Sequence, residues 1–539
     1  MLVPQGMAYA MLAGLPPVYG LYASTIPLIV YAILGTSRHL SVGPVAIDSM
    51  LTAAGVGIIA QAGTDEYISL AIMLALIVGL IQFSLGISRL GFLIKFLSHP
   101  VIMGFTSAAA IIIGLSQMKY LLGIEMPASQ YLHEVIGLIA DHITTVHLMT
   151  LLIGIGGIVF LLILKRFLPL APGPLILVVV STLLVSLLHL DKVGVSVIGA
   201  ITLGLPGPTL PHVQFDSVRQ LIPAAFAIAI VSFMESMAVA RSIQAKHKTY
   251  KVNTNKDLLA IGIANLTGAF FKSFPVSGGF SRSAVNDQAG ARTGMSSLVS
   301  AFLVIGTLLF LTPLFYYLPN AILASIIIVA IFGLIHFKEA KYLWKVDRKD
   351  FLMMLVTFLG TLFFGIGTGI GIGVLLSLAW IIFEASYPHH AELGRVPGTH
   401  TFRNIKRFKE LVVDDDVLIF RFDAPLFFAN VDRFREILLE YISSHKKKLK
   451  AIIVDMESTN TIDTSSIQVF ADTVEEIRRE NILFLLAEVK GPVRDKFHRS
   501  GLTKKLGEEN FFLTIEEALD FLSGKGKNIP PDIALQTNR

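Results

Sequence analysis

The stretch FKSFPVSGGFSRSAVN, residues 271–286, lies between hydrophobic segments, yet it cannot form an ordinary membrane helix. Pro275 favours an extended residue before it, and Gly278 and Gly279 weaken any helix. Arg282 follows beside hydroxyl groups at the start of the next apolar run. Because a charged side chain is costly at membrane depth, Arg282 is expected to face a cavity or an anion. The alternative is a structural pairing of Arg282 with a carbonyl or carboxylate group.

A second stretch, LSVGPVAIDS at residues 40–49, has the same form. It has an extended start, then Gly43 and Pro44, then a helix. Two such interruptions, one in each half of the hydrophobic region, are typical of transporters with inverted repeats. The amino termini of the two half-helices would face each other near the middle of the membrane and present the positive ends of their dipoles to an anion.

The composition predicts a polytopic membrane protein, because 53% of the 539 residues are hydrophobic and only 15% are charged. The apolar runs end near Tyr387, and ordinary soluble composition follows. We therefore predict a transmembrane domain over residues 1–387 and a linker over 388–402. A soluble domain over 403–525 and a tail over 526–539 would follow.

Several classes of function are excluded by composition and motifs. The net charge of +5 is small for this length, and the basic residues form no single stripe, which argues against nucleic acid as a partner. Cysteine is absent, so disulfides and cysteine-ligated metals are excluded. No phosphate-binding loop, hydrolase elbow or paired metal histidines occur. We expect no enzyme activity, no cofactor and no metal site.

The apolar segments predict about fourteen spans in two halves of seven. The first span is short, because only about a dozen residues, about 18 Å of helix, precede the turn at residues 14–17, against roughly 30 Å of hydrocarbon. We therefore expect the first helix to be truncated and an upstream segment to be needed for full activity.

The basic residues of the short loops predict the orientation. Lys165, Arg166 and the basic residues of the 338–349 loop follow even-numbered spans, whereas the 61–66 loop after an odd-numbered span is acidic. Basic loops stay in the cytoplasm. The pattern predicts a cell-membrane (inner-membrane) protein whose soluble domain is cytoplasmic.

The soluble part alternates short apolar runs with amphipathic helices. VLIFRFDAPLFFA, KAIIVDM and ILFLLAEV have the composition of strands, and residues 431–444 and 465–480 have helical periodicity. The pattern predicts a small α/β domain with a mixed sheet that is covered on one face.

Several motifs resemble those of the sulfate permease (SulP) family of anion transporters. They are PQGMAYAMLAGLPPVYGLY, GTSRHLSVGPVA, LSHPVIMGFTSAAAIIIGLSQ, the segment around FSRSAVN, and LPNAILASIII. The soluble part resembles the STAS domain (sulfate transporter and anti-sigma factor antagonist) of such proteins. The resemblance implies an inverted repeat of seven plus seven helices, shared with uracil permeases, in which a core domain moves against a gate domain. It also implies homodimers and a possible cytosolic partner of the STAS domain.

The resemblance also implies a set of substrate-binding residues. They come from the first helix, the start of the third helix and the interrupted segment, namely Gln5, Tyr9, Val45, Ala46, Phe280, Ser281 and Arg282. Their amide, hydroxyl and backbone N–H groups can donate hydrogen bonds to an oxyanion. Taken without the resemblance, Gln5 and Tyr9 could equally serve helix packing.

Glu235 is the only acidic residue within its span. A carboxylate inside the membrane is usually a proton carrier or a charge partner. Sodium-driven bicarbonate transporters of this type have supporting threonines where this chain has Val239 and Phe280. We therefore favour proton coupling through Glu235, with Arg282 as its partner in the empty state. The alternative is a static ion pair between them.

In the soluble part, TIDTSSI at residues 461–467 resembles the loop that contains a phosphorylatable serine in anti-sigma factor antagonists. Thr464 and Ser465 are the candidate regulatory residues. Asp463 or Thr464 could instead cap the following helix, and capping is the interpretation that we prefer.

These observations favour a secondary transporter of small inorganic anions, with sulfate first and bicarbonate second. Coupling to protons would drive transport, and elevator-like alternating access would be its mechanism. Three alternatives stay open: a sodium-coupled bicarbonate transporter, a membrane scaffold that signals through its STAS domain, and a nucleobase permease. The last is disfavoured because Arg282 beside helix amino termini suits an anion better than a neutral base.

Overall fold

The computed structural model describes residues 1–91, 98–124, 132–168, 171–209, 215–247, 250–332, 335, 337–445 and 448–525. The tail predicted at 526–539 lies outside the described residues. The chain forms two compact units, Met1–Ser377 and Leu378–Arg539.

The first unit is helical, apart from two very short strands. In chain order its elements are α1 (Leu2–Leu12), α2 (Pro17–Tyr22), α3 (Ile26–Leu34), β1 (Val42–Gly43), α4 (Ala46–Val56), α5 (Asp65–Ile87), α6 (His99–Ser116), α7 (Met118–Leu122), α8 (Leu132–Asp141), α9 (Leu148–Phe167), α10 (Gly173–Leu188), α11 (Phe215–His247), α12 (Thr254–Phe270), β2 (Ser277–Gly278), α13 (Phe280–Gln288), α14 (Met295–Gly306), α15 (Asn320–Ile331), α16 (Phe337–Val346), α17 (Arg348–Phe364) and α18 (Ile366–Ser386).

Among the described residues, six helical stretches are long and apolar enough to cross a membrane. They are Pro17–Leu34, Asp65–Ile87, His99–Leu122, Leu148–Phe167, Asp216–His247 and Met295–Phe315. Other apolar helices, including α4, α10 and α15, are shorter. Many large apolar side chains of these long and short helices are exposed, as expected of a surface that faces lipid. The structure therefore has the membrane-protein character that the composition predicts.

The membrane-length stretch Pro17–Leu34 is divided into α2 and α3. Ser24 and Thr25 lie at the break, and their hydroxyl groups donate to the carbonyl oxygens of Gly20 and Tyr22. Pro27 follows in the first turn of α3, where its missing N–H group costs nothing. Close approach also shapes this region, because a side chain at Gly20 would collide with the carbonyl oxygen of Gly6 in α1.

The two interrupted stretches predicted from the sequence are present and pair with each other. Strands β1 and β2 are antiparallel, with Val42 opposite Gly278 and Gly43 opposite Ser277. Helix α4 begins just after β1, and α13 begins just after β2. This pairing fixes the starts of two helices beside each other.

The second unit is built on a six-stranded mixed sheet in the order β4-β3-β5-β6-β7-β8. Its elements are β3 (His390–Arg395), β4 (Phe402–Asn404), β5 (Val417–Phe422), α19 (Val431–Ser444), β6 (Ala451–Asp455), α20 (Thr464–Arg479), β7 (Leu483–Ala487), α21 (Gly491–Arg499), α22 (Leu502–Leu506), β8 (Phe511–Phe512) and α23 (Ile515–Leu522). Strands β5 to β8 are parallel, whereas β3 pairs antiparallel with β4 and β5.

Apolar side chains cover both faces of this sheet, so the prediction of a single covered face was wrong. On one face, Phe470 of α20 packs against Phe434 and Phe497, with ring centroids 5.5 and 5.6 Å apart. On the other face, Ile453 and Leu485 of the sheet pack in one cluster with residues of α23. Each fully buried side chain of this size stabilises the fold by about 2 kcal/mol.

The linker predicted at residues 388–402 is also corrected, because it contains strand β3. Ala391 and Leu393 of β3 are buried against the sheet. The short strand HAELGR has two apolar side chains among polar ones, which is too weak a pattern to reveal a strand. The folded domain therefore begins earlier than the composition indicated.

Candidate anion-binding site

The site is organised by the crossing of the two interrupted segments. Besides the pairing of β1 with β2, Gly279 N donates to Ser41 O at 3.0 Å, and Ser41 N donates to Ser283 Oγ at 3.0 Å. Ser283 Oγ in turn donates to Gly279 O at 2.7 Å. These bonds tie the loop before α4 to the first turn of α13.

The starts of α4 and α13 supply backbone donors. Val45 and Gly279 are their N-cap residues, and neither helix has a side-chain cap. Because the first N–H groups of a helix have no intrahelical acceptor, the amides of Ala46, Phe280 and Ser281 are available to a ligand. Phe280 is 64% exposed, so the part of it that can serve the site is its backbone N–H group.

Arg282 lies where the two segments meet, and only 5% of it is exposed. Its Nη1 donates to Pro44 O at 2.7 Å and its Nη2 contacts Ser41 O at 3.5 Å. Its Nε has no hydrogen-bond partner among the described residues. A Cβ atom at Gly279 would lie 2.7 Å from Nη2. Glycine at this position thus makes room for the guanidinium group.

Helix α1 contributes two of the predicted residues. Gln5 Nε2 lies 3.4 Å from Ser281 Oγ, which joins α1 to the start of α13. Gln5 is buried, and its Oε1 has no partner within the described chain. Tyr9, one turn later, is buried within range of the charges of Arg282 and Glu235. The structure therefore brings the residues of all three segments together.

Glu235 lies on α11, within range of the charge of Arg282. No salt bridge joins the two in the described residues, since Arg282 donates to carbonyl oxygens and Glu235 Oε2 is buried without a partner. The static ion pair that was considered from the sequence is absent from this conformation. A buried carboxylate oxygen without a donor is costly, which is typical of a group with a function.

A polar network behind the site was not anticipated. Asn265 of α12 donates from Nδ2 to Val276 O at 3.1 Å and accepts from Val276 N at 2.9 Å, so its amide acts as a strand partner for the residue before β2. It also donates to Gln82 of α5 at 3.0 Å. Ser236 of α11 accepts from Gly278 N at 2.8 Å. The signal was available, because polar amides inside apolar spans usually have such a role.

In the second unit, the preferred interpretation of TIDTSSI is confirmed. Asp463 caps α20, since its Oδ1 accepts from Ser466 N at 2.8 Å, and its Oδ2 accepts from Phe428 N at 2.8 Å. Partial burial acts to raise the pKa of Asp463, but these hydrogen bonds outweigh it and lower the pKa below its ordinary value. Thr464 and Ser465 are exposed in the first turn of α20, and their phosphorylation stays a prediction.

The arrangement suits a small oxyanion. A guanidinium group, two helix starts, an amide and a hydroxyl group surround one region, and most of these donors are neutral dipoles. A single cation attracts the anion without the trapping that several cations would cause. Two groups among the described residues could hold a metal ion, His39 with His247 and Asp287, and Asp455 with Glu457 and Glu488, and neither includes a residue of this site.

Comparison with known proteins places these features in a family. Residues 1–357 match the sulfate permease family, and residues 408–518 match the STAS domain. Sulfate transporter 4.1 of Arabidopsis thaliana, described as chloroplastic, is 38% identical over 537 residues, which cover 96% of this chain and 78% of that protein. High affinity sulfate transporter 2 of Stylosanthes hamata is 36% identical over 541 residues, which cover 96% of this chain and 81% of that protein.

Solved structures of anion transporters have a fold similar to that of this chain. The murine Slc26a9 anion transporter in its inward-facing state matches with a TM-score of 0.90 and 26% identity over 97% of this chain and 89% of that chain. This match confirms the inverted repeat of seven plus seven helices followed by a STAS domain. The transmembrane domain of the cyanobacterial bicarbonate transporter BicA matches with a TM-score of 0.60 over 70% of this chain and 93% of that chain. At 23% identity it supports the membrane fold alone.

Proposed function

The chain belongs to the sulfate permease family, a family of membrane transporters and not of enzymes, and from this premise we propose that it transports sulfate. The observation that carries the proposal is the meeting of Arg282 with the starts of α4 and α13 in a buried region. Sulfate is a small tetrahedral dianion, and donors from three segments can reach several of its oxygens at once. The relatives described above are named as sulfate transporters.

The site residues have separate roles in this proposal. Arg282 offsets the charge of the anion, and the amides of Val45, Ala46, Phe280 and Ser281 donate to its oxygens. Gln5, which lies beside Ser281, and Tyr9 add donors from α1. In this proposal α1 contacts the anion but does not belong to the paired strands β1 and β2. Movement of α1 relative to these strands would therefore open and close the site.

We infer that transport is coupled to protons through Glu235 and proceeds by elevator-like alternating access. Glu235 is a half-buried carboxyl whose Oε2 is buried without a partner in the described chain, and it is close enough to Arg282 for their charges to interact. When an anion occupies Arg282, the carboxylate loses part of its compensation, and proton uptake restores it. Proton and anion binding then favour each other, as linkage requires.

The soluble unit is proposed to lie in the cytoplasm, and the transporter is proposed to be a homodimer in a cell membrane. Basic residues such as Lys165 and Arg166 at the end of α9 support this orientation through their preference for the cytoplasmic side. A partner of the STAS domain stays a prediction.

Uptake by liposomes that contain the purified full chain tests the proposal. Labelled sulfate is the probe, and unlabelled sulfate, bicarbonate, chloride and dicarboxylates compete, each with and without sodium. Competition strongest by sulfate, with uptake that follows the proton gradient, supports the proposal. Uptake that bicarbonate inhibits best and that requires sodium would favour the bicarbonate alternative. If the chain transports no anion, the membrane-scaffold function is the alternative that remains.

A further inference from the structure

A second carboxyl group, that of Asp48, lies in the same region and has no role in the function proposed above. Asp48 is in the first turn of α4 and is completely buried. Neither of its carboxylate oxygens has a hydrogen-bond partner in the part of the chain that the structure describes. An aspartate in the first turn commonly accepts from a free backbone amide, but this one does not. Its position is therefore unexplained by capping or packing.

The surroundings of Asp48 are those of a site. Glu235 of α11, which packs against α4, is close enough for its charge to act on Asp48. Ser277 of β2 is completely buried and within reach of the Asp48 carboxyl, yet its hydroxyl group forms no hydrogen bond of good geometry in the described structure. Two carboxyl groups and the hydroxyl group of Ser277 thus lie near one another on three elements.

The charges in this region do not balance. Asp48 and Glu235 can carry two negative charges, Arg282 carries one positive charge, and Tyr9 is a neutral phenol. With both carboxyl groups ionised, one negative charge is left over among these side chains before a ligand enters, apart from the amino group of Met1, whose charge also acts on Arg282. A divalent anion beside Arg282 would raise the excess to three in a region of low dielectric constant, where such repulsion is strong. Protons on the two carboxyl groups are the simplest compensation.

We propose that Asp48 is a second proton-binding carboxyl of the coupling site, which acts with Glu235 so that two protons enter with each divalent anion. The inference rests on the proposed proton-coupled sulfate transport and extends it. One proton protonates each carboxylate as the anion binds, and both are released with it on the other side. The transported unit, a dianion and two protons, then carries no net charge.

The test measures how steep a sulfate gradient a pH difference can support. Full-length protein is placed in liposomes whose membrane potential is held at zero with potassium and valinomycin, and labelled sulfate is the probe. For one pH unit, net flux stops at roughly a hundredfold sulfate gradient with two protons, and at roughly a tenfold gradient with one. We expect the hundredfold value for the unmodified chain and the tenfold value for Asp48→Asn. Ser49→Ala, which removes a buried hydroxyl group beside Asp48 without a change of charge, is the control and keeps the hundredfold value.

If Asp48→Asn fails to insert into the membrane, a second measurement on the unmodified protein still tests the proposal. Calorimetric titration of the unmodified, solubilised protein with sulfate, in buffers of different ionisation enthalpy, counts the protons taken up. More than one proton per sulfate, at a pH where both carboxyl groups start ionised, supports the proposal, and one or fewer at that pH overturns it.

The outcomes separate the two proposals. A hundredfold gradient in Asp48→Asn overturns the role of Asp48 and leaves proton-coupled sulfate transport intact. A balance point that follows sodium and ignores pH overturns both the role of Asp48 and the proposed proton coupling, while sulfate transport itself stands. The absence of any sulfate flux in the unmodified chain refutes the proposed function, and this inference with it.

Discussion

The guanidinium group of Arg282 donates a 2.7 Å hydrogen bond from Nη1 to the carbonyl oxygen of Pro44, 238 residues earlier in the chain. One repeat thus supplies the charge of the site, and the other supplies the acceptor that orients it. The carbonyl neutralises none of that charge, so the cation stays available to an anion. A carboxylate in the same place would compete with the substrate.

Arg282→Ala should weaken sulfate binding by roughly ten- to a hundredfold, because a charge-assisted hydrogen bond to an anion contributes about 1.5–3 kcal/mol. Arg282→Lys should recover only part of the loss, since an ammonium group keeps the charge but loses the planar fork that reaches Pro44 and Ser41 together. Equilibrium binding of labelled sulfate measures both. Unchanged affinity in both variants, with normal insertion, would remove Arg282 from the site.

Glu235→Gln should flatten the dependence of sulfate uptake on external pH, because only a proton bound at Asp48 is then left to enter with the anion. In the unmodified chain, uptake should fall as external pH rises, because the proton is taken up together with the anion. Glutamine keeps the size of the side chain but cannot carry a proton, so exchange of sulfate for sulfate can persist. Initial uptake rates measured from about pH 5 to about pH 8 give the profile. A Glu235→Gln profile that matches that of the unmodified chain would contradict the assignment.

Asn265→Leu should displace β2 and thereby weaken sulfate binding. The substitution keeps the volume of the side chain but leaves both polar groups of Val276 without their partner, at a cost of about 1–3 kcal/mol for each buried group. Thr267→Val on the same helix is the matched control, because the Thr267 hydroxyl group donates only to carbonyl oxygens of its own helix. Sulfate affinity and the melting temperature separate positioning from general destabilisation. A loss confined to the melting temperature, with sulfate affinity unchanged, would show a purely structural role for Asn265.

The sequence was informative where a residue type conflicted with its surroundings. Arg282, Glu235 and the glycines near them stand out because charge and helix breakers are unusual in apolar spans, and the structure brings them together. The pairing of β1 with β2 could not be read from the chain, since two-residue strands have no periodicity. Strand β3 was missed for a similar reason.

The acidic residue Asp48 was overlooked because an aspartate in the first turn of a helix is ordinary. Only its complete burial, and the nearness of Glu235, make it unusual. Such a feature depends on which helices pack together. A single sequence does not supply that information, whereas local conflicts such as Arg282 need no knowledge of packing.

The last prediction concerns Asp463, whose carboxylate caps α20 in the STAS domain. Asp463→Ala should destabilise the start of this helix by about 1 kcal/mol, because it removes the acceptor for Ser466 N. Asp463→Asn keeps an acceptor but no charge. Hydrogen exchange of the α20 amides in the full chain measures both variants, and about 1 kcal/mol corresponds to roughly fivefold faster exchange.

The pH dependence distinguishes the carboxylate from other sources of helix stability. Since hydrogen bonds to Ser466 N and Phe428 N lower the pKa of Asp463 despite its partial burial, its contribution is complete above the ordinary aspartate pKa of about 4 and is lost as pH falls through the lower value in the folded protein. Protection of α20 should therefore decrease at acidic pH in the unmodified chain, and this decrease should be absent in Asp463→Asn. Equal pH dependence in both would show that another group stabilises the helix start.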